Sequence, residues 1–339
     1  MSQPTRARAS ITLLVLAVLL AAAMFAAVGT GAVRVPPVEI AGAIARAVSG
    51  APAPTADAVI VDIRMPRVLM AALVGACLAA AGVLYQALFR NPLADPYILG
   101  VSSGAGLGAI LVIVGTANAT AWRYVGLPLG SFTGAILTIL LVTRLASWRG
   151  MLDTASLLLA GVAISYTLSA MTSFVMVFAR ESMASVVFWM MGGLSSASWG
   201  YLAIITPMLA LGLIVPLFRA RELNLMLLGD SRASELGVDV ERFKRTVLAA
   251  GSLLTAAAVS VSGLIGFVGL MTPHAIRLVL GPDHRLLVPA SVLAGATVMV
   301  LADLAARTVL APIELPVGIV TALAGGPFFV WLLVRGDRR

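Results

Sequence analysis

Charged residues are scarce in this sequence, and so are the side chains with which most enzymes do chemistry. Only 11% of the 339 residues are charged, against about 25% in soluble domains. There are two histidines, one cysteine (Cys77) and one lysine (Lys244). Cys77 has no second cysteine for an intrachain disulfide, and no residues have the spacing of a metal site. The composition excludes a soluble globular protein and predicts neither a cofactor nor a bound metal.

The sequence also has no motif for a nucleotide-binding site. A phosphate-binding loop needs a lysine directly after a glycine-rich turn, whereas Lys244 follows Phe243. His274 and His284 lie near the ends of one apolar segment and lack the HExxH spacing of zinc proteases. Structural or interfacial roles are therefore favoured for both histidines. We expect that the chain is not an enzyme and does not itself hydrolyse ATP.

Long apolar runs take up most of the chain, since 60% of the residues are hydrophobic and the mean hydropathy is +1.03. A helix needs about 20 mostly apolar residues to cross a bilayer. About ten such segments can be placed, which predicts an all-α integral membrane protein with one transmembrane domain over residues 1–339. The predicted spans are Ile11–Val28, Val68–Leu88, Leu99–Gly115, Val125–Val142, Ala155–Phe178, Leu202–Leu217, Val247–Val261, Phe267–Leu280, Leu287–Ala305 and Val317–Val334.

Basic residues set the predicted orientation. If the N-terminus is cytoplasmic and the spans alternate, sixteen of the 23 lysines and arginines lie on the cytoplasmic side, in the direction that the positive-inside rule requires. The two short spans between 247 and 280 could form one broken unit, but joining them would weaken this bias. They are therefore kept separate, and both termini are predicted to be cytoplasmic.

The longest predicted cytoplasmic loop covers residues 219–245 and has the pattern of short helices that lie at the membrane surface. Asp230 or Ser231 can cap a helix there, and Gly237 can end it. This helix is expected to make its apolar contacts through Leu225, Leu228 and Leu236.

Glycine and alanine are frequent inside the predicted spans. Gly75, Ala79 and Gly82 share one helical face at spacings of three and four residues. The run GVSSGAGLG at 100–108 has the composition of a phosphate-binding loop, but it opens a span and no strand precedes it. Both patterns predict close helix packing, because small residues let helices approach each other in lipid.

Ionisable residues are almost missing from the central parts of the spans. Asp303 is the exception, and Arg307 follows four residues later, which places both side chains on one helical face at pairing distance. Ion-coupled carriers keep ionisable groups near the midplane as relays or ion sites. Their scarcity favours a permease driven by a separate ATPase. The alternatives are an ion-coupled secondary transporter and an intramembrane enzyme, which would need paired polar residues at membrane depth.

Eight segments in order along the chain form a further pattern. They are RMPR (64–67), AGVLYQALFRNPLADPYILGVSSGAGLG (81–108), SLLLAGVAIS (156–165), VFWMMGGLSSASWG (187–200), LGDSRASELGV (228–238), GLIGFVGLMTPHAIRLVLGPDHR (263–285), ADLAAR (302–307) and ELPVGIVTALAGGPFFVWLL (314–333). Together they resemble the FecCD-type permease subunits of type II ABC importers, which take up iron-siderophores, haem and cobalamin. One such segment would be weak evidence, but eight in family order are specific.

This resemblance implies a permease subunit without catalytic residues of its own. It would act as a homodimer in the bacterial inner (cytoplasmic) membrane, surrounded by lipid. Its partners would be two ATP-binding-cassette ATPase subunits and one periplasmic solute-binding protein, and no nucleic acid is expected. The implied substrate is a metal chelate. An iron-siderophore ranks first because it is the commonest substrate of the family, followed by haem and then cobalamin.

The resemblance also implies three groups of functional residues. The binding protein would dock on periplasmic arginines, whose guanidinium groups can hold carboxylates bidentately; the predicted orientation places all three outside. The docking residues are Arg64, Arg67 and Arg307. The residues that contact the ATPase are Leu228, Gly229, Ala233, Leu236 and Gly237. The residues that narrow the cytoplasmic end of the pore are Asn91, Leu93, Thr154 and Ala155, the last at a position where other members often carry a hydroxyl.

Overall fold

The computed structural model describes residues 6–31, 35–51, 54–116, 120–147 and 152–336. Four arginines that contributed to the predicted orientation lie outside these ranges: Arg34, Arg149, Arg338 and Arg339. All regular secondary structure within the ranges is helical. The helices are α1 Arg6–Gly29, α2 Pro37–Ser49, α3 Thr55–Ala58, α4 Met65–Leu88, α5 Val101–Gly115, α6 Thr120–Ala146, α7 Thr154–Phe178, α8 Met183–Met190, α9 Trp199–Phe218, α10 Ala220–Met226, α11 Asp230–Glu235, α12 Val240–Ser262, α13 Val268–Leu280, α14 His284–Thr308 and α15 Val317–Gly336.

Each of the ten predicted spans overlaps one of these helices. Among the described residues, seven helices are long and apolar enough to cross a membrane: α1, α4 with the π-helical segment Val59–Arg64 before it, α6, α7, α9, α12 and α14. Three others, α5, α13 and α15, are apolar but shorter. The all-α membrane fold is confirmed, while the number of complete crossings stays a prediction.

Helix α4 lies at the centre of the molecule. In its most apolar stretch 89% of the residues are buried, compared with 11% in α7. Helices α9, α12, α13 and α14 all pack against α4. A helix that is apolar all round and buried belongs to the core, whereas the apolar surface of α7 needs lipid or another subunit to cover it.

Glycine contacts allow α4 to be surrounded so closely. A Cβ atom at Gly75 would collide with the carbonyl oxygen of Gly295 in α14, and one at Gly82 would collide with that of Gly269 in α13. Ala79 also lies against Gly295. The predicted packing role of this face is therefore confirmed.

The glycine run at 100–108 packs α5 against α6. A Cβ atom at Gly104 would collide with the carbonyl oxygen of Gly134, and one at Gly108 with that of Gly130. Gly100 precedes α5 with a φ of 77°, a conformation that glycine adopts without steric cost. The run serves helix packing, as the sequence predicted.

The two short predicted spans between 247 and 280 form separate helices, α12 and α13, joined by a turn at 263–267. Gly263 and Phe267 have φ values of 68° and 69° at the two ends of this turn. The hydroxyl of Tyr97 donates to the carbonyl of Ile265 at 3.0 Å and fixes the middle of the turn. The two segments are thus separate helices, while their crossing of the membrane as two spans stays a prediction. Helix α12 begins at Val240, seven residues before the predicted span.

Polar side chains cap the N-termini of several long helices. Asp153 accepts a hydrogen bond from the Ser156 amide at the start of α7. Asp239 and Asp283 accept in the same way at the starts of α12 and α14. Each cap satisfies a helix amide that has no partner inside the helix. These caps fix where the helix ends lie on the predicted cytoplasmic side.

Candidate docking, coupling and gate sites

Two of the three predicted docking arginines, Arg67 and Arg307, meet around one buried carboxylate, Asp303, near the end of α14. Arg67 donates from Nε to Oδ1 of Asp303 at 3.0 Å, and its Nη1 lies 2.9 Å from Oε2 of Glu314. Arg307 Nε lies 3.1 Å from the second oxygen of Asp303, without the alignment of a hydrogen bond. The pairing of Asp303 with Arg307, predicted from their spacing, is confirmed. We call Arg67, Asp303, Arg307 and Glu314 the periplasmic cluster, after the predicted orientation.

Arg64, the third predicted docking arginine, binds the end of α1 together with Arg307. Arg64 donates to the carbonyl of Val28 at 2.8 Å, and Arg307 donates to that of Ala27 at 3.0 Å. The last carbonyls of a helix lack partners within the helix and carry partial negative charge. Arginine side chains satisfy both needs, so this pair attaches the C-terminus of α1 to α4 and α14.

Burial shows how much of this cluster a partner could reach. The side chain of Asp303 is 1% exposed, and those of Arg67 and Arg307 are also largely buried. Glu314, by contrast, is half exposed and forms the accessible edge of the cluster. The sequence analysis missed Glu314 because it lies 247 residues from Arg67, and no local pattern links the two. The docking role of the arginines stays a prediction.

The predicted coupling residues lie on α11 and the turns beside it. Gly229 and Gly237 flank the helix with φ values of 101° and 88°, which only glycine adopts easily. Ala233 is fully buried and holds the helix against the body of the protein. Gly237 follows the last turn of the helix, as predicted, so the short helix has defined ends.

Two details of this helix differ from the prediction. Gly229 rather than Asp230 or Ser231 occupies the cap position, and no side chain caps the helix, because Asp230 instead binds basic side chains. Leu228 and Leu236 are 51% and 56% exposed and so are only partly covered by the chain. These exposed leucines leave an apolar surface that a partner could cover.

Asp230 joins three elements at this end of the molecule. Its Oδ1 accepts from Arg90, directly after α4, at 2.7 Å, and its Oδ2 pairs with Lys244 in α12. Lys244 is nearly buried, whereas Arg90 and Asp230 are more than a third exposed. We call Arg90, Asp230 and Lys244 the cytoplasmic cluster. The sequence analysis did not find this cluster, since its members come from three separate segments.

The first pair of predicted gate residues occupies a turn at the end of α4. Asn91 Oδ1 accepts from the Leu93 amide at 2.9 Å, which is the local side-chain turn that asparagine favours. Arg90, just before it, has a φ of 49°, an uncommon value for a residue with a side chain. Leu93 is half exposed. The chain therefore leaves α4 through a sharp turn that presents Leu93 at the surface.

The second pair of predicted gate residues begins α7. Thr154 and Ala155 form its first turn, and Ala155 is exposed. Hydrogen bonds from the amide and hydroxyl of Ser156 lower the pKa of the Asp153 cap, because they favour its charged form. Just before the cap, the Leu152 amide lies 3.0 Å from each carboxylate oxygen of Glu241 in α12.

A hydroxyl-lined cavity of about 220 Å³ lies between α5, α7 and the turn before α13. Its polar lining consists of Ser102, Ser103, Ser169, Thr172 and Ser173. Hydroxyl groups donate and accept hydrogen bonds without carrying charge. This side of α7 therefore offers a polar but uncharged wall.

A comparison with protein-family models matches residues 13–335, nearly the whole chain, to one described as the FecCD transport family. The chain belongs to the FecCD transport family. Relatives include the cobalamin import system permease protein BtuC of Halobacterium salinarum, 46% identical over 279 residues (82% of this chain and 74% of that protein). Another is the hemin transport system permease protein HmuU of Yersinia pestis, 42% identical over 277 residues (81% and 82%).

A solved structure agrees with the fold of this FecCD protein. It is described as an inward-facing conformation of a metal-chelate type ABC transporter. The two chains are 32% identical, with a TM-score of 0.82, and the match covers 95% of this chain and 98% of the other. The FecCD protein is accordingly an ABC transporter permease and not an enzyme. This finding favours the ATP-driven permease over the ion-coupled carrier and the intramembrane enzyme.

Proposed function

We propose that two copies of this chain form the membrane pathway of an importer that takes up a bulky metal chelate in the bacterial inner membrane. The observation that carries the proposal is the FecCD match over residues 13–335. Because the sequence has no nucleotide-binding motif, the energy must come from two ATP-binding-cassette ATPase subunits. A periplasmic binding protein delivers the substrate.

The ATPase binds at α11 and its flanking turns. Support comes from the exposed side chains of Leu228 and Leu236 beside the fully buried Ala233. A short helix that is fixed on one side and presents apolar side chains on the other fits a groove on a partner. The defined turns at Gly229 and Gly237 hold this helix in one orientation, so that it can transmit motion of the ATPase to the permease.

The binding protein docks over the periplasmic cluster and Arg64. Support comes from the gathering of three arginines at one end of the molecule, where Arg67 holds the half-exposed carboxylate of Glu314. A carboxylate of the binding protein can bind Arg67 in place of Glu314. The exchange conserves the charge-assisted hydrogen bonds to Arg67 and leaves buried Asp303 paired.

The pathway runs along α7 at the interface between the two copies. Among the described spans, α7 buries the smallest share of its residues, and it exposes Tyr166, Phe174 and Phe178. Asn91, Leu93, Thr154 and Ala155 narrow the cytoplasmic end. Neutral hydroxyl and aromatic walls suit a large ligand that must pass without binding tightly.

The substrate is a chelate between the size of haem and that of cobalamin. Relatives named for cobalamin and for hemin share 46% and 42% of aligned residues with this chain. Iron-siderophores, ranked first by family frequency, are a candidate beside these two. The binding protein supplies most of the selectivity, so the permease sequence alone leaves the three open.

Reconstitution tests the proposal. The chain is placed in liposomes with its ATPase and binding protein, and uptake of cyanocobalamin, haemin and ferrichrome is measured. Uptake of one probe that needs ATP and all three components is the expected result. Uptake by the chain alone under a proton gradient would contradict it.

A variant with Leu228 and Leu236 both replaced by Glu tests the ATPase contact. Because two charges would enter an apolar interface, substrate-stimulated ATP hydrolysis should be lost. Val48→Glu, at a still more exposed aliphatic position in α2, on the predicted periplasmic side, is the control and should leave hydrolysis intact.

A further inference from the structure

The predicted cytoplasmic loop 219–245, which includes the proposed ATPase-binding helix α11, contacts the first gate segment through an ion pair. Asp230 is the first residue of α11, and it holds Arg90 at 2.7 Å. Arg90 directly precedes Asn91, and its left-handed backbone (φ 49°) makes the turn from α4 into the gate segment. A displacement of α11 therefore pulls on the residue that orients Asn91 and Leu93.

A second contact leads from the same segment to the other gate segment. Glu241, in the first turn of α12, accepts from the Leu152 amide with both oxygens at 3.0 Å. Leu152 lies two residues before Thr154. The bond is to the backbone, so it moves the chain itself and not a flexible side chain. Glu241 also pairs with Arg245 one turn later, which orients its carboxylate.

In both contacts an acidic residue of the loop 219–245 binds a residue that lies just before a pair of predicted gate residues. Asp230 and Glu241 lie at the two ends of one short stretch that includes all of α11. We propose that Asp230 and Glu241 are positioning residues through which movement of the ATPase-bound segment sets the positions of the two gate segments. This inference rests on the proposed function, and it names the side chains that carry the coupling.

Chemical labelling of the gates tests the inference without knowledge of the substrate. Cys77 is buried, so a cysteine introduced at Leu93 or Ala155, both exposed, is the reactive thiol of this chain. Labelling by a membrane-impermeant maleimide is measured in the assembled complex with and without ATP. ATP hydrolysis is followed in parallel. The parent variants Leu93→Cys and Ala155→Cys should each show an ATP-dependent labelling rate.

Each contact should act on its own gate. Arg90→Gln leaves Lys244 paired with Asp230 and should reduce the ATP response of the Leu93→Cys reporter about fivefold or more, the lower range of allosteric coupling. Glu241→Ala should do the same to the Ala155→Cys reporter. Hydrolysis should continue in both. A merely structural role would instead change labelling equally with and without ATP.

Two controls use neighbouring chemistry. Glu241→Gln keeps an acceptor oxygen for the Leu152 amide and should retain most of the ATP response. Arg245→Gln removes the ion pair with Glu241 but leaves the Leu152 contact, so it should retain the response as well. Equal losses in Glu241→Gln and Glu241→Ala would refute the Leu152 contact. If the complex with Glu241→Ala does not assemble, Arg90→Gln alone tests the inference. Arg90 and its partner Asp230 are both more than a third exposed, so this substitution should leave assembly intact.

The outcomes separate this inference from the proposed function. If ATP changes labelling of Leu93→Cys and Ala155→Cys, and adding Arg90→Gln or Glu241→Ala leaves that change as large, the inference is wrong but the assignment of the gate residues holds. If ATP changes neither reporter in the parents, the gates themselves are wrong, and the inference falls with them.

Discussion

The two ends of this permease carry the same motif in different surroundings. In each cluster one aspartate bridges two basic side chains, of which at least one comes from a distant segment: Asp303 joins Arg67 and Arg307, and Asp230 joins Arg90 and Lys244. The side chain of Asp303 is 1% exposed and that of Asp230 is 40% exposed. The bridging aspartate is therefore buried away from water at one end of the molecule and partly exposed to water at the other.

Burial decides what each cluster can do. Removing one partner of a buried ion pair typically costs about 3–5 kcal/mol, because an uncompensated charge remains. An exposed pair contributes only about 0.2–1 kcal/mol, since water replaces either partner. The periplasmic cluster consequently fixes α1, α4 and α14 together. In the cytoplasmic cluster Lys244 is nearly buried, but the pair between Arg90 and Asp230 is exposed enough for water to replace either partner.

The largest effect is expected for Asp303→Ala. Two nearly buried arginines would lose their shared carboxylate, so stability should fall by about 3–5 kcal/mol. The thermal unfolding midpoint of the purified protein in detergent measures this loss. Asp239→Ala, which removes an exposed carboxylate at the start of α12, is the control and should cost far less. Equal losses would abolish the distinction between the two environments.

A matched pair of arginine variants sharpens the comparison. Arg67→Gln removes a charge-assisted hydrogen bond to buried Asp303, which should cost about 1.5–3 kcal/mol. Arg90→Gln removes the corresponding bond to exposed Asp230, which should cost about 1 kcal/mol or less. Unfolding of both variants in the same detergent gives the two values. A larger loss for Arg90→Gln would reverse our assignment of the rigid and exchangeable ends.

Salt should separate the clusters further. At about 1 M ionic strength the Debye length falls to about 3 Å from about 10 Å at 0.1 M. The coupling between Arg90 and Asp230, measured by a double-mutant cycle, should therefore decline with salt. The coupling between Arg67 and Asp303 should change little, because ions do not reach it. Parallel declines would show that water and ions enter both sites.

The smallest effect on stability is expected for Glu314→Gln. Glu314 is half exposed, so its pair with Arg67 should contribute about 1 kcal/mol or less. If Glu314 competes with the binding protein for Arg67, its loss should strengthen docking by up to about fivefold, the same free energy expressed as affinity. Surface-bound permease titrated with binding protein measures the change. Weaker docking would mean that Glu314 itself contributes to the docking surface.

Local patterns in the sequence were sufficient for several features. The ten apolar segments follow from hydropathy and length. The packing face of Gly75, Ala79 and Gly82 and the pair Asp303–Arg307 follow from helical periodicity. Lipid enforces such patterns because a spanning segment must satisfy its backbone internally and expose apolar side chains. The family could also be recognised, since its motifs are contiguous in the chain.

Only the tertiary structure decided which distant groups meet. Arg67 and Asp303 are 236 residues apart, Arg90 and Asp230 are 140 apart, and Leu152 and Glu241 are 89 apart. No local period connects such pairs, and their contacts depend on how α4, α12 and α14 pack. The exposure of Leu228 and Leu236 could not be predicted from the sequence either, because the same apolar residue can be covered by its own chain or by a partner. By itself the sequence determined a helical membrane permease, and the packing of the helices decided where its charges are buried and where they remain free to exchange.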